Sequence, residues 1–282
     1  MEQLTGWVTD NKIPVGRTAK TLFDWLNANA SGLFDAISVA MEALIDAILA
    51  GLEAPHPFLF IALAMALTFA LQRRAGPCVL MGVGLLFILN QGYWTEMMQS
   101  LTLVLSACLV CMGVGVPIGI AAAHRPRLYD WMRPVLDLMQ TLPTFVYLIP
   151  AIVFFGIGMV PGLLATVIFV LPAPIRLTQL GIASTPPALT EAATAFGATP
   201  RQLLWKVELP SALPQIMAGL NQTIMLSLSM VVIAALVGAS GLGVPVVRAL
   251  NSVNTALGFE SGIVIVVVAI LLDRMLRMEN RK

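Results

Sequence analysis

The chain has 282 residues, of which 58% are hydrophobic and 11% are charged, and its formal net charge is +1. Soluble domains carry roughly 25% charged residues, so this composition excludes an ordinary soluble enzyme and predicts a membrane protein. The nearly neutral charge offers no electrostatic footprint for nucleic acid, and we expect no such partner.

Residues 1–54 are predicted to form a polar tail followed by an amphipathic helix. Residues 1–32 are too polar for the apolar core of a secretory signal. The following apolar stretch carries Asp35, Glu42 and Asp46 at i, i+7 and i+11, roughly one face of a helix. We expect this helix to lie on the membrane or against the bundle, on the periplasmic side. An eighth span would require partners for three buried carboxylates.

Residues 55–282 carry the apolar segments of a transmembrane domain, counted by length because about 20 apolar residues cross a bilayer. The predicted fold class is all-α: a polytopic membrane protein with about seven transmembrane helices. The predicted spans are Pro57–Leu71, Cys78–Asn90, Met97–Ala123, Leu138–Gly158, Gly162–Leu180, Met217–Val237 and Phe259–Leu276.

Basic residues predict the orientation, because cytoplasmic loops are enriched in Lys and Arg. If the loop around Glu191 is cytoplasmic and the spans alternate, twelve of the sixteen basic residues lie inside. The four outside are Lys12, Arg17, Lys20 and Arg248. We therefore expect a periplasmic N-terminus and a cytoplasmic C-terminus.

A polar, helix-forming stretch interrupts the apolar segments within the predicted loop of residues 183–216. Its first helix has a candidate N-cap in Thr185, followed by Pro186 at the first helical position, where a missing N–H costs nothing. Gly197 suits the left-handed residue that commonly ends a helix. The pattern predicts a short helix with its own start and stop signals.

The second helix of this loop begins at a predicted capping box. The Thr199 hydroxyl would accept from the N3 amide, while the Gln202 side chain reaches back to the Thr199 amide. Pro200 occupies the first helical position, and Pro210 is expected to close the unit. Together the two helices form a predicted helix-turn-helix between membrane spans, which suits docking of a partner better than binding of a substrate.

The order of residue types in this loop resembles the EAA loop of permeases from ATP-binding-cassette (ABC) importers. The matching residues are Glu191, Ala192, Ala193, Gly197, Leu209 and Pro210. In that family the loop is cytoplasmic, and its short helix sits in a groove of the ATPase subunit. The resemblance implies that Glu191 anchors the loop by capping or pairing and that Gly197 permits its sharp turn. It also implies that Ala192, Ala193 and Phe196 are apolar contacts for that groove.

Polar residues and prolines within the spans are candidates for a translocation path. The candidates are Gln140, Thr141, Pro143, Tyr147, Asn221, Met225 and Ser229. Pro143 interrupts the regular hydrogen bonding of the fourth span, and exposed carbonyls at membrane depth are tolerated only inside protein or beside water. The last three recur at every fourth residue and would share a face. Hydrogen bonding between helices and lining of a path are both open for these side chains.

Further blocks resemble the glycine betaine, proline and choline branch of these permeases. They include Leu136–Pro143, Phe145–Pro150, Phe155–Gly158, Leu171–Pro172 and Asn221–Ala234. The resemblance implies the permease subunit of an importer for a quaternary-amine osmolyte, held by lipid in the bacterial inner membrane. It further implies a periplasmic substrate-binding protein, a second copy of this chain and an ABC ATPase subunit. ATP and Mg would belong to that ATPase, with no cofactor in this chain.

The sequence offers little for catalysis or metal binding. It has no G-x-x-x-x-G-K-[ST] phosphate loop, so we expect ATP hydrolysis on a separate subunit. Its histidines, His56 and His124, lie far apart near span ends, and we expect no metal site and no catalytic residue. The alternative function is an ion-coupled secondary transporter of small amines or amino acids. Such transporters commonly show inverted repeats and ionisable residues at mid-membrane, and neither is evident here.

Overall fold

The chain is helical, with no β-strand, throughout residues 14–276, which are the residues that the computed structural model describes. The predicted all-α class is confirmed. The helices are α1 (Val15–Glu53), α2 (Pro57–Gln72), α3 (Ala75–Asn90), α4 (Trp94–His124), α5 (Pro126–Thr141), α6 (Thr144–Phe155), α7 (Met159–Val170), α8 (Pro172–Ala183), α9 (Pro187–Ala195), α10 (Pro200–Leu203), α11 (Leu209–Ala235), α12 (Gly243–Ser252) and α13 (Thr255–Leu276). A π turn, Leu204–Glu208, joins α10 to α11.

Four helical segments in the described range are long and apolar enough to cross a membrane, or up to six spans if each of two bent helix pairs counts as one. The four are Trp94–His124, Met159–Ala183, Pro200–Ala235 and Thr255–Met275. The apolar helix α3 has 16 residues. That length is about 24 Å, short of a hydrocarbon core of about 30 Å. The predicted count of seven is therefore not confirmed.

The predicted fourth span, Leu138–Gly158, is wrong as a single helix. The α5 and α6 helices meet at 95°, and the break lies at Leu142, whose ψ of 136° is extended. A residue before proline is driven away from the helical region, and Pro143 itself has no N–H to donate. The chain therefore turns through nearly a right angle where the sequence predicted a continuous span.

Contacts between distant segments show which helix ends lie together. At one end, His124 at the close of α4 contacts Glu208, with 2.8 Å between Nε2 and Oε2. At the same end, Arg176 of α8 pairs with Asp137 of α5, with 2.7 Å between Nη2 and Oδ1. The 183–216 loop emerges at this end of the bundle.

Other segments meet at the opposite end of the bundle. The Gly158 amide donates to the Val237 carbonyl at 2.9 Å, and the Leu242 amide donates to Ser100 Oγ at 2.8 Å. Helix α4 thus runs parallel to the α7–α8 segment and antiparallel to α11, as alternating spans require. Which end faces the cytoplasm stays a prediction from charge.

Close packing of α4 on α8 depends on small residues, which let helices approach in a membrane. A Cβ added to Gly119 would lie 2.7 Å from the Ile175 carbonyl oxygen, and one on Gly115 would lie 2.8 Å from Pro174 Cγ. Gly115 and Gly119 have G-x-x-x-G spacing, and both lie at the contact between the two helices.

The long helix α1 lies against the bundle and meets α2 at 98°. Ile45 is buried beside Ala107 and Leu163, and the ring of Phe34 stacks on that of Phe154 with centroids 4.4 Å apart. The carboxylates singled out in the sequence, Asp35, Glu42 and Asp46, are exposed. Residues 15–32, expected in a polar tail, are helical apart from a kink at Ala30 (φ −123°, ψ 15°), and residues 1–13 lie outside the described residues. The periplasmic placement of this region stays a prediction.

We predict that Gly119→Ala destabilises the protein, because the new methyl group would press on backbone of α8. Overpacking of this kind costs about 1–3 kcal/mol. Thermal unfolding of the purified protein in detergent would measure the loss. Gly113→Ala is the matched control on the same helix, since a Cβ there meets nothing within 4 Å. Equal unfolding temperatures for the two variants would contradict this account of the α4–α8 contact.

Candidate coupling surface and translocation path

The turn after α9 is closed by two backbone hydrogen bonds of a Schellman motif. The Ala198 amide donates to the Ala193 carbonyl at 3.0 Å, and the Gly197 amide donates to the Thr194 carbonyl at 2.9 Å. Gly197 has φ +78°, the left-handed conformation that this motif requires. The predicted role of Gly197 in ending the helix is confirmed, and the glycine of the motif is explained by backbone geometry.

The two predicted helix starts have different outcomes. The capping box of Thr199 and Gln202 is confirmed, with both reciprocal hydrogen bonds present. The proposed N-cap at Thr185 is wrong by one residue, because α9 begins at Pro187 with Pro186 as N-cap. Pro186 itself precedes a proline, which favours an extended backbone there and delays the helix.

The helix-turn-helix is not closed at Pro210, and this part of the prediction is wrong. The helix runs from Pro200 through the π turn into α11, so the second helix of the loop and the predicted sixth span form one helical segment of 36 residues. Within the turn, the Leu209 amide donates to the Leu204 carbonyl five residues back. We call residues 187–208 the coupling unit. Its second half is a direct extension of a membrane helix.

The coupling unit presents apolar side chains to solvent. The Phe196 side chain is 94% exposed and that of Trp205 is 63% exposed. Ala192 and Pro210 are also exposed, whereas Ala193 and Leu209 are half-buried. Large exposed apolar groups on a rigid, capped unit mark an interaction surface.

Glu191 does not anchor this unit within the chain. It is exposed and makes no hydrogen bond or ion pair with any described residue. Glu191 is the fifth residue of α9. The backbone amides that need a capping side chain belong to the first turn of a helix, which Glu191 has already passed. Its carboxylate is therefore available to a partner.

At the bend between α5 and α6, Tyr147 completes the hydrogen bonding of the broken helix. Its hydroxyl donates to the Met139 carbonyl at 2.6 Å. That carbonyl would normally accept from the residue four positions on, which is Pro143 and has no N–H. Tyr147 is buried, so its hydroxyl supports the bend. Gln140 is half-buried and Thr141 and Pro143 are exposed at the same bend.

The three candidates on α11 do not share one environment. Asn221 Nδ2 donates to Asp273 Oδ1 of α13 at 3.4 Å, and Met225 packs against the main hydrophobic cluster. Ser229 is exposed, and its hydroxyl donates to the Met225 carbonyl at 3.2 Å. Each step of four residues turns the face by about 40°, so the expected common face is lost over eight residues.

The bend region and α11 meet near one of the path candidates. Tyr147 packs in a cluster with Met230 of α11, the residue after Ser229, and with Val237 just beyond the end of that helix, whereas Asn221 contacts Asp273 of α13. Helix α6 also presents exposed apolar side chains, among them Phe145 and Ile149.

Comparison with known proteins identifies the family. Residues 115–282 match the family described as "Binding-protein-dependent transport system inner membrane component". The chain belongs to this family. It is therefore a multi-pass inner-membrane permease component of an ABC transporter, as the EAA resemblance implied.

The permease has close curated relatives along most of its length. It is 51% identical over 229 residues to the glycine betaine/carnitine transport permease protein GbuB of Listeria monocytogenes, spanning 80% of this chain and 81% of that protein. It is 46% identical over 264 residues to the glycine betaine transport system permease protein OpuAB of Bacillus subtilis, spanning 94% and 93%. These relatives are transport permease subunits.

A solved structure supports the fold independently. A chain of the MetNI methionine ABC transporter in an inward-facing conformation aligns with a TM-score of 0.58 and 23% identity, covering 65% of this permease and 94% of that chain. At this identity the likeness concerns the fold alone.

Sequence reasoning missed two long-range polar contacts near the coupling unit, His124–Glu208 and Arg176–Asp137. The partners lie 84 and 39 residues apart along the chain. One signal was available: in a chain with 11% charged residues, each ionisable group near a span needs a partner or water.

We predict that Tyr147→Phe destabilises the permease by about 1–3 kcal/mol, since it leaves the Met139 carbonyl without a donor. The measurement is thermal unfolding in detergent. Tyr129→Phe is the control, because the Tyr129 hydroxyl has no hydrogen-bond partner among the described residues. An unchanged unfolding temperature for Tyr147→Phe would show that water replaces the hydroxyl and that the bend does not depend on it.

Proposed function

We propose that this chain is the permease subunit of an ATP-driven importer for a quaternary-amine osmolyte of the glycine betaine and choline type. The printed substrates of its relatives support this class: glycine betaine and carnitine for one, and glycine betaine for another. A choline system permease, OpuBD of Bacillus subtilis, is 37% identical over 60% of this chain. Identity is higher to the glycine betaine permeases, which favours glycine betaine over choline.

The exposed coupling unit is the observation that supports an ATPase partner. Phe196 is 94% exposed at the tip of a unit whose backbone is fixed by a Schellman turn and a capping box. Aromatic side chains are frequent anchors in protein interfaces. We infer that Ala192, Ala193 and Phe196 enter a groove of the ATPase and that exposed Glu191 pairs with it. Leu209 and Pro210 then join this surface to α11.

We further infer that two copies of the chain enclose the path. The bends at Gln140, Thr141 and Pro143, supported by Tyr147, would face each other across it. Asn221, Met225 and Ser229 on α11 would move with the coupling unit and change the opening. ATP and Mg would bind to the ATPase, which would supply the energy. The distribution of basic residues supports a cytoplasmic coupling unit and a periplasmic N-terminus. Lipid would surround the spans.

Substrate selectivity is expected to reside mainly in a periplasmic binding protein. A quaternary ammonium is commonly held by an aromatic cage through cation–π contacts. The ring contacts among the described residues pack helices together, as Phe34 does on Phe154 and Phe60 on Trp94. The permease would accordingly provide a path of low affinity.

The test is uptake of radiolabelled glycine betaine into proteoliposomes that contain the permease, its ATPase and its binding protein. We expect this uptake to require ATP. Unlabelled carnitine and unlabelled choline should each reduce the uptake, to different extents. Uptake driven by an ion gradient without ATP would contradict the proposal and favour a secondary transporter.

Phe196→Ala tests the coupling surface in the same assay. Loss of an anchoring aromatic costs about 2 kcal/mol or more, which corresponds to roughly 30-fold weaker binding of the ATPase. Membrane insertion should be unchanged, because Phe196 contacts little of its own chain. The control is Phe69→Ala, an aromatic on α2 that is 56% exposed. Wild-type ATPase binding and uptake for Phe196→Ala would remove Phe196 from the interface.

A further inference from the structure

A histidine at the end of α4 contacts a buried glutamate at the base of the coupling unit. His124 Nε2 lies 2.8 Å from Glu208 Oε2. Glu208 is 8% exposed, whereas the His124 side chain is 44% exposed. A nearly buried carboxylate requires a hydrogen-bond donor or a positive charge beside it. His124 supplies that group from a different helix.

The second nitrogen of His124 contacts the backbone of its own helix. Nδ1 lies 3.0 Å from the Ile120 carbonyl oxygen, so both ring nitrogens have an oxygen partner and the ring orientation is fixed. The contact is thus a directed hydrogen bond at the interface of two helices.

The position of Glu208 lets this contact link α4 to the coupling unit. Glu208 is the last residue of the π turn that joins α10 to α11, and π turns frequently occur at functional sites. The α11 helix follows the coupling unit through its continuous backbone. Helix α4 packs on α11 deeper in the bundle, where Val104 and Ile224 share a buried cluster, but it has no covalent link to the coupling unit, since the residues at the contact are 84 positions apart. The His124–Glu208 hydrogen bond is the polar contact between α4 and the coupling unit in the described part of the chain.

We propose that His124 and Glu208 are a positioning pair that makes α4 move together with the coupling unit. The inference rests on the proposed function, in which the ATPase displaces that unit. With the pair intact, a displacement of the coupling unit shifts both α11 and α4. Helix α8 then moves with α4, because the two helices pack closely at Gly115 and Gly119. Without the pair, the ATPase turns over while α4 lags and the path opens incompletely.

The experiment measures the number of substrate molecules imported per ATP hydrolysed by the complete complex in proteoliposomes. We expect His124→Ala and Glu208→Ala each to lower this ratio about tenfold, within the usual range for coupling between sites. The double variant should be no worse than either single one, because the two residues act through one contact. ATP hydrolysis itself should continue.

Conservative variants separate positioning from bulk packing. In His124→Gln the amide N–H can still donate to Glu208, and in Glu208→Gln the amide can donate to a neutral imidazole. We expect both to retain most of the import per ATP. The control is His56→Ala, the other histidine. It occupies the N-cap position of α2 without a capping hydrogen bond from its side chain, and its ring stacks on that of Phe58.

Three outcomes would overturn the inference. One is wild-type import per ATP in the alanine variants, and another is an equal loss in the alanine and glutamine variants. The third is additive losses in the double variant. If a single alanine variant fails to assemble, import per ATP in the double variant and in the glutamine variants still tests the inference. A wild-type complex that hydrolyses ATP but imports nothing would instead contradict the proposed function, and the inference with it.

Discussion

The unbroken helix from Pro200 to Ala235 is the constraint on which the rest of this permease depends. A flexible joint between loop and span would absorb a push from outside, whereas a hydrogen-bonded helix transmits it. The π turn keeps the backbone paired through this junction, with the Leu209 amide on the Leu204 carbonyl. The Schellman turn at Gly197 and the capping box at Thr199 fix the remainder of the coupling unit. Displacing the unit therefore has to move α11.

The membrane sets a second constraint, because no backbone polar group can be left unpaired where water is absent. In two irregular segments of the bundle a side chain supplies the missing hydrogen-bond partner. At the α5–α6 bend, the Tyr147 hydroxyl replaces the amide that Pro143 lacks. At the far end of the bundle, Ser100 accepts the amide of Leu242. Such side chains allow helices to break beside a path without leaving carbonyls or amides exposed to lipid.

Local features of the coupling unit were predictable from sequence, because a glycine turn and a capping box depend on residues a few positions apart. Thr185 failed as a cap because the second of two adjacent prolines moved the helix start. The Leu138–Gly158 span failed because sequence marks a proline break without giving its angle, which is 95° here. The His124–Glu208 and Arg176–Asp137 contacts join residues 84 and 39 positions apart. These partners come together only in the folded bundle, so no local sequence pattern predicts the contacts.

The most direct test of the account is the native mass of the complex extracted from its host membrane in a mild detergent. The central claim is that the coupling unit serves a separate ATPase and that two chains enclose the path. The account predicts two copies of this 30.1 kDa chain together with two copies of a nucleotide-binding subunit. A chain that purifies alone or only with itself, under conditions that preserve other transporters, would contradict it.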